Sequence, residues 1–273
     1  MTSRRRERIT DDPDAGYGRP ARRTRPRTKD RPSYHDAVDG RVITVDRGRY
    51  RCLLESTGVQ VSATKARNLG RTGVIVGDRV RLVGDTTGAE GTLARIVEVT
   101  ARETVLRRTA DDDDPHERPI VANADQLVVV AALADPPPRP GMIDRILVAA
   151  YDAGLEPLLV FTKADLEVPD DLVGIYAPLG LRIIVMEPGA DLDSLRAALR
   201  GHRSVLVGHS GVGKSTLVNL LIPGVERATG EVNEVTGRGR HTSTSAIALE
   251  LPSSGGWGAI RRFRSRTPRR GRC

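Results

Sequence analysis

The chain has 273 residues, enough for two domains, with 38% apolar residues, only 3% aromatic residues and a net charge of +8. Two cysteines, Cys52 and Cys273, are too few for a zinc cluster or a disulfide framework, and no run of 18 apolar residues offers a secretion signal or a membrane span. The expectation is a cytoplasmic protein, monomeric and without a membrane partner. The charge is uneven: residues 1–35 hold eleven Arg/Lys against five Asp/Glu, residues 108–260 thirteen against twenty-one, and residues 261–273 seven against none. An acidic segment flanked by basic ones favours a polyanionic partner, with nucleic acid the first candidate.

Residues 1–38 are dominated by Arg, Pro, Asp and Gly and show no apolar period, so a disordered basic arm is expected. Residues 39–107 change character. Gly40–Leu54 alternates apolar and polar residues across a turn at Asp46-Arg47-Gly48-Arg49, which predicts a hairpin. Val74–Val83 holds a Gly-Asp turn before an alternating strand, and Gly91–Thr100 reads as another strand. Short strands with turns about every ten residues predict a small closed β-barrel. Arg47, Arg49, Arg51, Lys65, Arg67 and Arg71 cluster in its first half, which suits an RNA-binding platform on which Tyr50 is the one aromatic able to stack a base. Residues 108–119, with four successive Asp at 111–114, read as a charged linker.

An alternating α/β pattern fills the rest of 108–257. Asp125–Leu133 is a continuous apolar run, expected as a strand buried on both faces. Met142–Gly154 has helical spacing and a glycine stop. Glu156–Leu166 and Leu181–Met186 read as further strands, Asp191–Gly201 as a helix, Ser204–Val207 as a strand and Ser215–Ile222 as a helix. The result is a parallel sheet covered by helices, with ligand loops at the strand C-termini.

Two of those loops carry chemistry. Gly208-His209-Ser210-Gly211-Val212-Gly213-Lys214-Ser215-Thr216 fits G-x-x-x-x-G-K-[ST] between a strand and a helix. Glycines let the backbone wrap a phosphate chain, Lys214 reaches the β and γ phosphates, and the Ser215 hydroxyl ligates Mg²⁺. Thr162-Lys163-Ala164-Asp165 fits [NT]-K-x-D at a strand C-terminus. The Asp165 carboxylate can accept from guanine N1–H and N2–H₂, a donor pair that adenine lacks, while the Lys163 stem lies over the base. Together the motifs predict GTP/GDP as the ligand. The base motif precedes the phosphate loop by about fifty residues, the reverse of the usual order, which implies a circular permutation of the domain. Downstream, Ala228–Thr244 is a long polar stretch in which Thr242, Ser243 or Thr244 is placed to meet Mg²⁺ and the γ phosphate, and His241 to orient the attacking water.

This arrangement resembles the ribosome small-subunit-dependent GTPase family, RsgA, over residues 39–257. The stretches that carry the resemblance are Arg118–Val130, Pro140–Leu166, Gly208–Asn219 and Gly237–Trp257. The resemblance implies an α/β protein with an oligonucleotide-binding (OB-fold) barrel followed by a circularly permuted P-loop GTPase domain, acting on the small ribosomal subunit and its rRNA in late maturation. After Trp257 the family continues with a strand, a D-x-P-G motif and a zinc-binding segment. Here the chain reads Gly258–Cys273, Arg-rich and without D-x-P-G, so 258–273 is expected to be an aberrant, out-of-frame tail lacking the family zinc site and leaving the sheet one strand short. Val185–Ala190 also lacks the family's Ser-Ala beside the base. The alternative implied by these departures is a nucleotide-holding RNA-binding protein with little hydrolysis.

Overall fold

The computed structural model describes residues 34–46, 48–70, 73–108, 118–222, 247–250 and 257–260, all within one compact unit that begins at Tyr34. The arm up to residue 33, Arg47, Arg71, the four-Asp run, His241 to Thr244 and the tail from residue 261 lie outside the described residues. Residues 34–38, assigned above to the arm, are ordered into the fold. Arg81 Nη2 donates to the Tyr34 carbonyl at 2.9 Å, and strand β1 already starts at Val38.

The N-terminal part of the described chain is a barrel of five strands: β1 (Val38–Asp46), β2 (Arg49–Leu54), β3 (Gln60–Lys65), β4 (Arg79–Gly84) and β5 (Ala94–Val99). Pairing runs β1–β2–β3–β5–β4 and closes from β4 back to β1, so no strand edge is left over within the barrel. Alternate residues point inward, and Val42, Cys52, Val61, Ala63, Val80, Leu82 and Ile96 fill the interior. At the closure point Gly40 faces Leu54 on one neighbour and Val80 on the other. A Cβ there would lie 2.7 Å from Leu82 Cδ1 and 3.0 Å from the Leu53 carbonyl oxygen, so a larger residue would force its neighbours to shift. Tyr50 belongs to this interior at 8% exposure, which removes the one candidate for base stacking.

The expected linker is flanked by a hairpin. β6 (Val105–Arg108) pairs antiparallel with β7 (Arg118–Ala122), so Arg118 and Pro119 are strand residues rather than linker. The nucleotide-domain sheet follows in the order β10 (Arg182–Val185), β9 (Glu156–Thr162), β8 (Gln126–Ala132), β11 (Arg203–Val207), β13 (Trp257–Ile260), β12 (Ile247–Glu250). All pairings are parallel except β12–β13. The strand β11 that feeds the glycine loop lies between β8 and β13, and β9, whose end carries T-K-x-D, comes before it in the chain, the order that the circular permutation implies. The strand expected to be missing is present, because Trp257–Ile260 runs beside β11 and carries the sheet past the boundary drawn at residue 257.

The apolar run of β8 divides by parity. Leu127 and Val129 join Ile143 and Leu147 of α1 (Pro140–Asp152) and Leu172 and Tyr176 of α2 (Asp170–Tyr176). Val128 and Val130 join Leu195 and Leu199 of α3 (Asp193–Leu199) and Leu217 and Val218 of α4 (Lys214–Leu221) on the other face. Each such side chain contributes about 1.5–3 kcal/mol on burial, which fixes the two helical layers. No helix among the described residues is long and apolar enough to cross a membrane.

Barrel and nucleotide sheet are joined three ways. Thr44 of β1 pairs with Ile247 of β12, making one continuous sheet. Ile43 and Val45 of β1, both partly buried, pack against the core that holds α1 and α2, and Val45 also packs against the barrel core. A polar seam completes the joint. Buried Asn123 donates from Nδ2 to the Gly77 carbonyl at 3.0 Å and accepts from Glu103 N–H at 2.8 Å. Glu103 also bridges Arg79 of β4 and Arg203 of β11, at 2.9 and 3.1 Å. The hydrogen bond from Arg203, with the charges of Arg79 and Arg203, holds the exposed Glu103 carboxyl below its ordinary range.

Candidate functional site

Both motifs sit at the C-terminal edge of the parallel sheet, where strands end and loops converge. β11 is buried from Ser204 to Val207 and opens at Gly208. A Cβ at Gly208 would overlap the Val130 carbonyl of β8, so glycine is required by close approach. Gly211 and Gly213 have φ of 85° and 90°, the left-handed region that turns the loop into the first residue of α4. Lys214 is only 5% exposed. Its ammonium donates to the Gly208 carbonyl at 2.8 Å and to the His209 carbonyl, so the loop curls around a buried cation. His209 turns back on its own loop, Nδ1 donating to the Ser210 carbonyl at 2.8 Å. Ser215 and Thr216 are exposed on the first turn of α4.

Thr162 is the last residue of β9 and is buried. Its hydroxyl lies 2.8 Å from the Val212 carbonyl and 3.3 Å from that of Ala131, and donates to the nearer. That hydrogen bond ties the T-K-x-D turn to the glycine loop fifty positions away. After Thr162 the chain turns sharply: Lys163 adopts φ 61°, Leu166 N–H donates to the Lys163 carbonyl at 3.1 Å, and Ala164 N–H donates to the Met186 carbonyl at 3.2 Å at the end of β10. Asp165 is left exposed at the sheet edge. The structure therefore gathers Thr162, Lys163, Ala164, Asp165 and Gly208 to Thr216 on one edge. His241 and Thr242, the expected water-orienting and Mg²⁺-binding residues, fall outside the described residues.

One neighbour escaped the sequence reading. Asp135, in the loop after β8, accepts from Lys163 Nζ through its carbonyl, and its carboxylate lies 3.8 Å from the same ammonium. The next residue, Pro136, comes near Gly211 of the glycine loop, its Cδ 3.5 Å from where a Cβ on Gly211 would stand. The available signal was positional: Asp135-Pro136-Pro137-Pro138 follows a buried strand at the edge where ligand loops gather.

The donor set suits a magnesium nucleotide better than a protein-caged metal. Among the described residues no three His, Cys, Asp or Glu side chains converge on a metal-sized space. A nucleotide-borne Mg²⁺ needs only a hydroxyl such as that of Ser215 beside phosphate oxygens. On the barrel, Arg49 and Arg95 both lie across from Thr64 of the intervening β3, with Arg51 two residues along β2, giving an outward basic row that includes one arginine outside the expected cluster.

Residues 99–257 match the family model described as RsgA GTPase. Over 146 residues the chain is 46% identical to the small ribosomal subunit biogenesis GTPase RsgA of Pseudomonas aeruginosa, covering 50% of this chain and 43% of that protein. It is 39% identical over 207 residues to the protein of the same name from Chlorobaculum tepidum, covering 71% and 66%. The chain thus spans about half the length of the Pseudomonas relative. Among solved structures it is similar to YjeQ from Thermotoga maritima, with a TM-score of 0.61, 28% identity and coverage of 83% of this chain and 75% of that one. It shares the fold of YloQ, a circularly permuted GTPase, with a TM-score of 0.56, 23% identity and coverage of 83% and 71%.

Proposed function

The chain belongs to the RsgA GTPase family, and from that premise we propose that it binds GTP and GDP with Mg²⁺, hydrolyses GTP, and acts in the cytoplasm as a monomeric factor in late maturation of the small ribosomal subunit, touching rRNA through its barrel. The observation that carries this reading is the Thr162–Val212 hydrogen bond, which joins a guanine-reading turn to a phosphate-wrapping loop in one site. In the reading, backbone N–H groups from Gly208 to Gly213 cradle the phosphates and Lys214 exchanges loop carbonyls for the β and γ phosphate oxygens. Ser215 and Thr242 ligate Mg²⁺, Asp165 takes the guanine N1–H and N2–H₂ donors, and His241 orients water for in-line attack on the γ phosphorus. The barrel contributes through Arg49, Arg51 and Arg95. With Tyr50 buried, these arginines meet the RNA backbone rather than its bases, so affinity falls steeply with salt.

Phosphate release from GTP, with and without purified small subunits, tests the proposal. Subunit-stimulated release, resisted by excess ATP and lost in Lys214→Ala, is expected. Binding of labelled GDP without any turnover in the presence of subunits would leave a nucleotide-holding RNA-binding protein instead.

A further inference from the structure

Lys163 and Asp135 are both non-glycine residues at positive φ, 61° and 40°, in a chain whose other non-glycine example among the described residues is Asn123 of the polar seam. Such backbone is costly and persists only where surrounding contacts hold it. Here the two strained residues hold one another, through the Lys163 ammonium on the Asp135 carbonyl and the carboxylate 3.8 Å away. Leu133 N–H donates to the Thr162 carbonyl at 2.9 Å just before, so the loop after β8 is also stitched to the start of the T-K-x-D turn ahead of the ion pair. Pro136, next in sequence, lies near Gly211 of the phosphate loop, its Cδ 3.5 Å from where a Cβ on Gly211 would stand. Asp135 therefore touches the base-reading turn while its neighbour lies close to the phosphate-binding one.

We propose that Asp135 is a positioning residue for guanine-nucleotide binding: it holds the Lys163 ammonium toward the β8 side, so that the aliphatic stem is laid out as a flat apolar surface for the base. The proposal rests on the guanine-nucleotide reading above. A lysine left to itself samples many rotamers, and ordering it on ligand arrival opposes binding; a carboxylate and a carbonyl that pre-order it lower that opposition. The carboxylate is 93% exposed, so its share of the effect is modest and screened by salt.

The test is a binding cycle on the full chain with fluorescently labelled GDP and Mg²⁺. Asp135→Asn keeps a side chain that tolerates positive φ and removes the charge. It is expected to raise the dissociation constant roughly two- to five-fold at low salt, as suits an exposed ion pair. The difference should vanish at about 1 M salt, where the screening length is ~3 Å. Without nucleotide, the unfolding midpoint should stay close to the parent value, because the Lys163 contact to the backbone carbonyl of residue 135 survives in Asp135→Asn. In a Lys163→Ala background the Asp135 substitution should add nothing. Unchanged affinity in Asp135→Asn, or an effect that persists without Lys163, overturns the positioning role while leaving nucleotide binding intact. A parent chain that binds no GDP overturns the guanine reading and this proposal together.

Discussion

Thr162 is where two readings of the sequence become one site, and it carries a sharp expectation. Thr162→Val keeps the shape but removes the donor to the Val212 carbonyl. Leaving that acceptor unmatched costs ~1–3 kcal/mol. The loss should fall on nucleotide affinity, about five- to hundred-fold for GDP by equilibrium titration, because the bond joins the two halves of the site; an affinity within two-fold of the parent removes Thr162 from it. Cys52 makes a second residue-scale case. Burial in the barrel pushes its thiol up to about 12 from an ordinary 9.0. The folded state therefore keeps a proton that the unfolded chain sheds. That contribution to stability is fully present below pH 9 and is lost as pH rises from about 9 to 12. Urea midpoints of the parent should fall relative to those of Cys52→Ala across that window. Parallel curves would show that Cys52 titrates alike in both states.

At the scale of elements, the long periodic segments were legible: β8, β9, α1, β11 and α4 fall where apolar runs and glycine stops put them. What escaped was short or held by partners far away in sequence. Gln60–Lys65 has one strongly apolar residue, Val61, and becomes β3 only because β2 and β5 pair with it. The seven-residue helix α2 has no N-cap side chain to announce it and is fixed by Leu172 and Tyr176 packing under α1. β7 contains a proline, a residue that disfavours strand interiors, yet Pro119 sits at the register shift of a two-stranded pair, where a missing N–H is tolerated. In the candidate site both motifs were legible from spacing, but Asp135 was not, since nothing in Ala134-Asp135-Pro136 specifies a lysine partner. The Gly77-Asp78 turn was read as a turn, whereas its anchor was invisible. Asp78 is 0% exposed, bonded at 2.7 and 2.8 Å by Arg102 and at 2.8 Å by Ile75 N–H. Asp78→Ala removes the acceptor for Arg102 and Ile75 N–H, and with Arg102 partly exposed it should destabilise the fold by ~1–3 kcal/mol in chemical denaturation. A loss below ~1 kcal/mol would mean that water replaces the carboxylate at little cost.

At the scale of the whole molecule, the barrel and the nucleotide domain, divided in sequence near residue 108, share one sheet, one core contact and one polar seam among the described residues. β12 lies between β13 of the nucleotide sheet and β1 of the barrel. Ile43 and Val45 pack against the neighbouring core, and Glu103 holds a barrel strand and the phosphate-loop strand at once. Bodies joined in this way open together, because separating them exposes apolar surface and unpairs buried polar groups at the same moment. Ligand binding at one end must then protect the other. Cys52 reports on the barrel interior and Trp257, on β13, reports on the nucleotide sheet, so the two probes can be followed in one sample. In a Cys273→Ser background at mild urea, Mg²⁺-GDP at a hundred times its dissociation constant should stabilise the fold by about 2.7 kcal/mol. The thiol-labelling rate of Cys52 should then fall about a hundredfold, alongside an equal shift in the Trp257 fluorescence transition. If the nucleotide moved the Trp257 transition while Cys52 labelled at its old rate, the barrel would be opening alone, and the sheet, core and seam contacts would be too weak to carry nucleotide state from one half to the other.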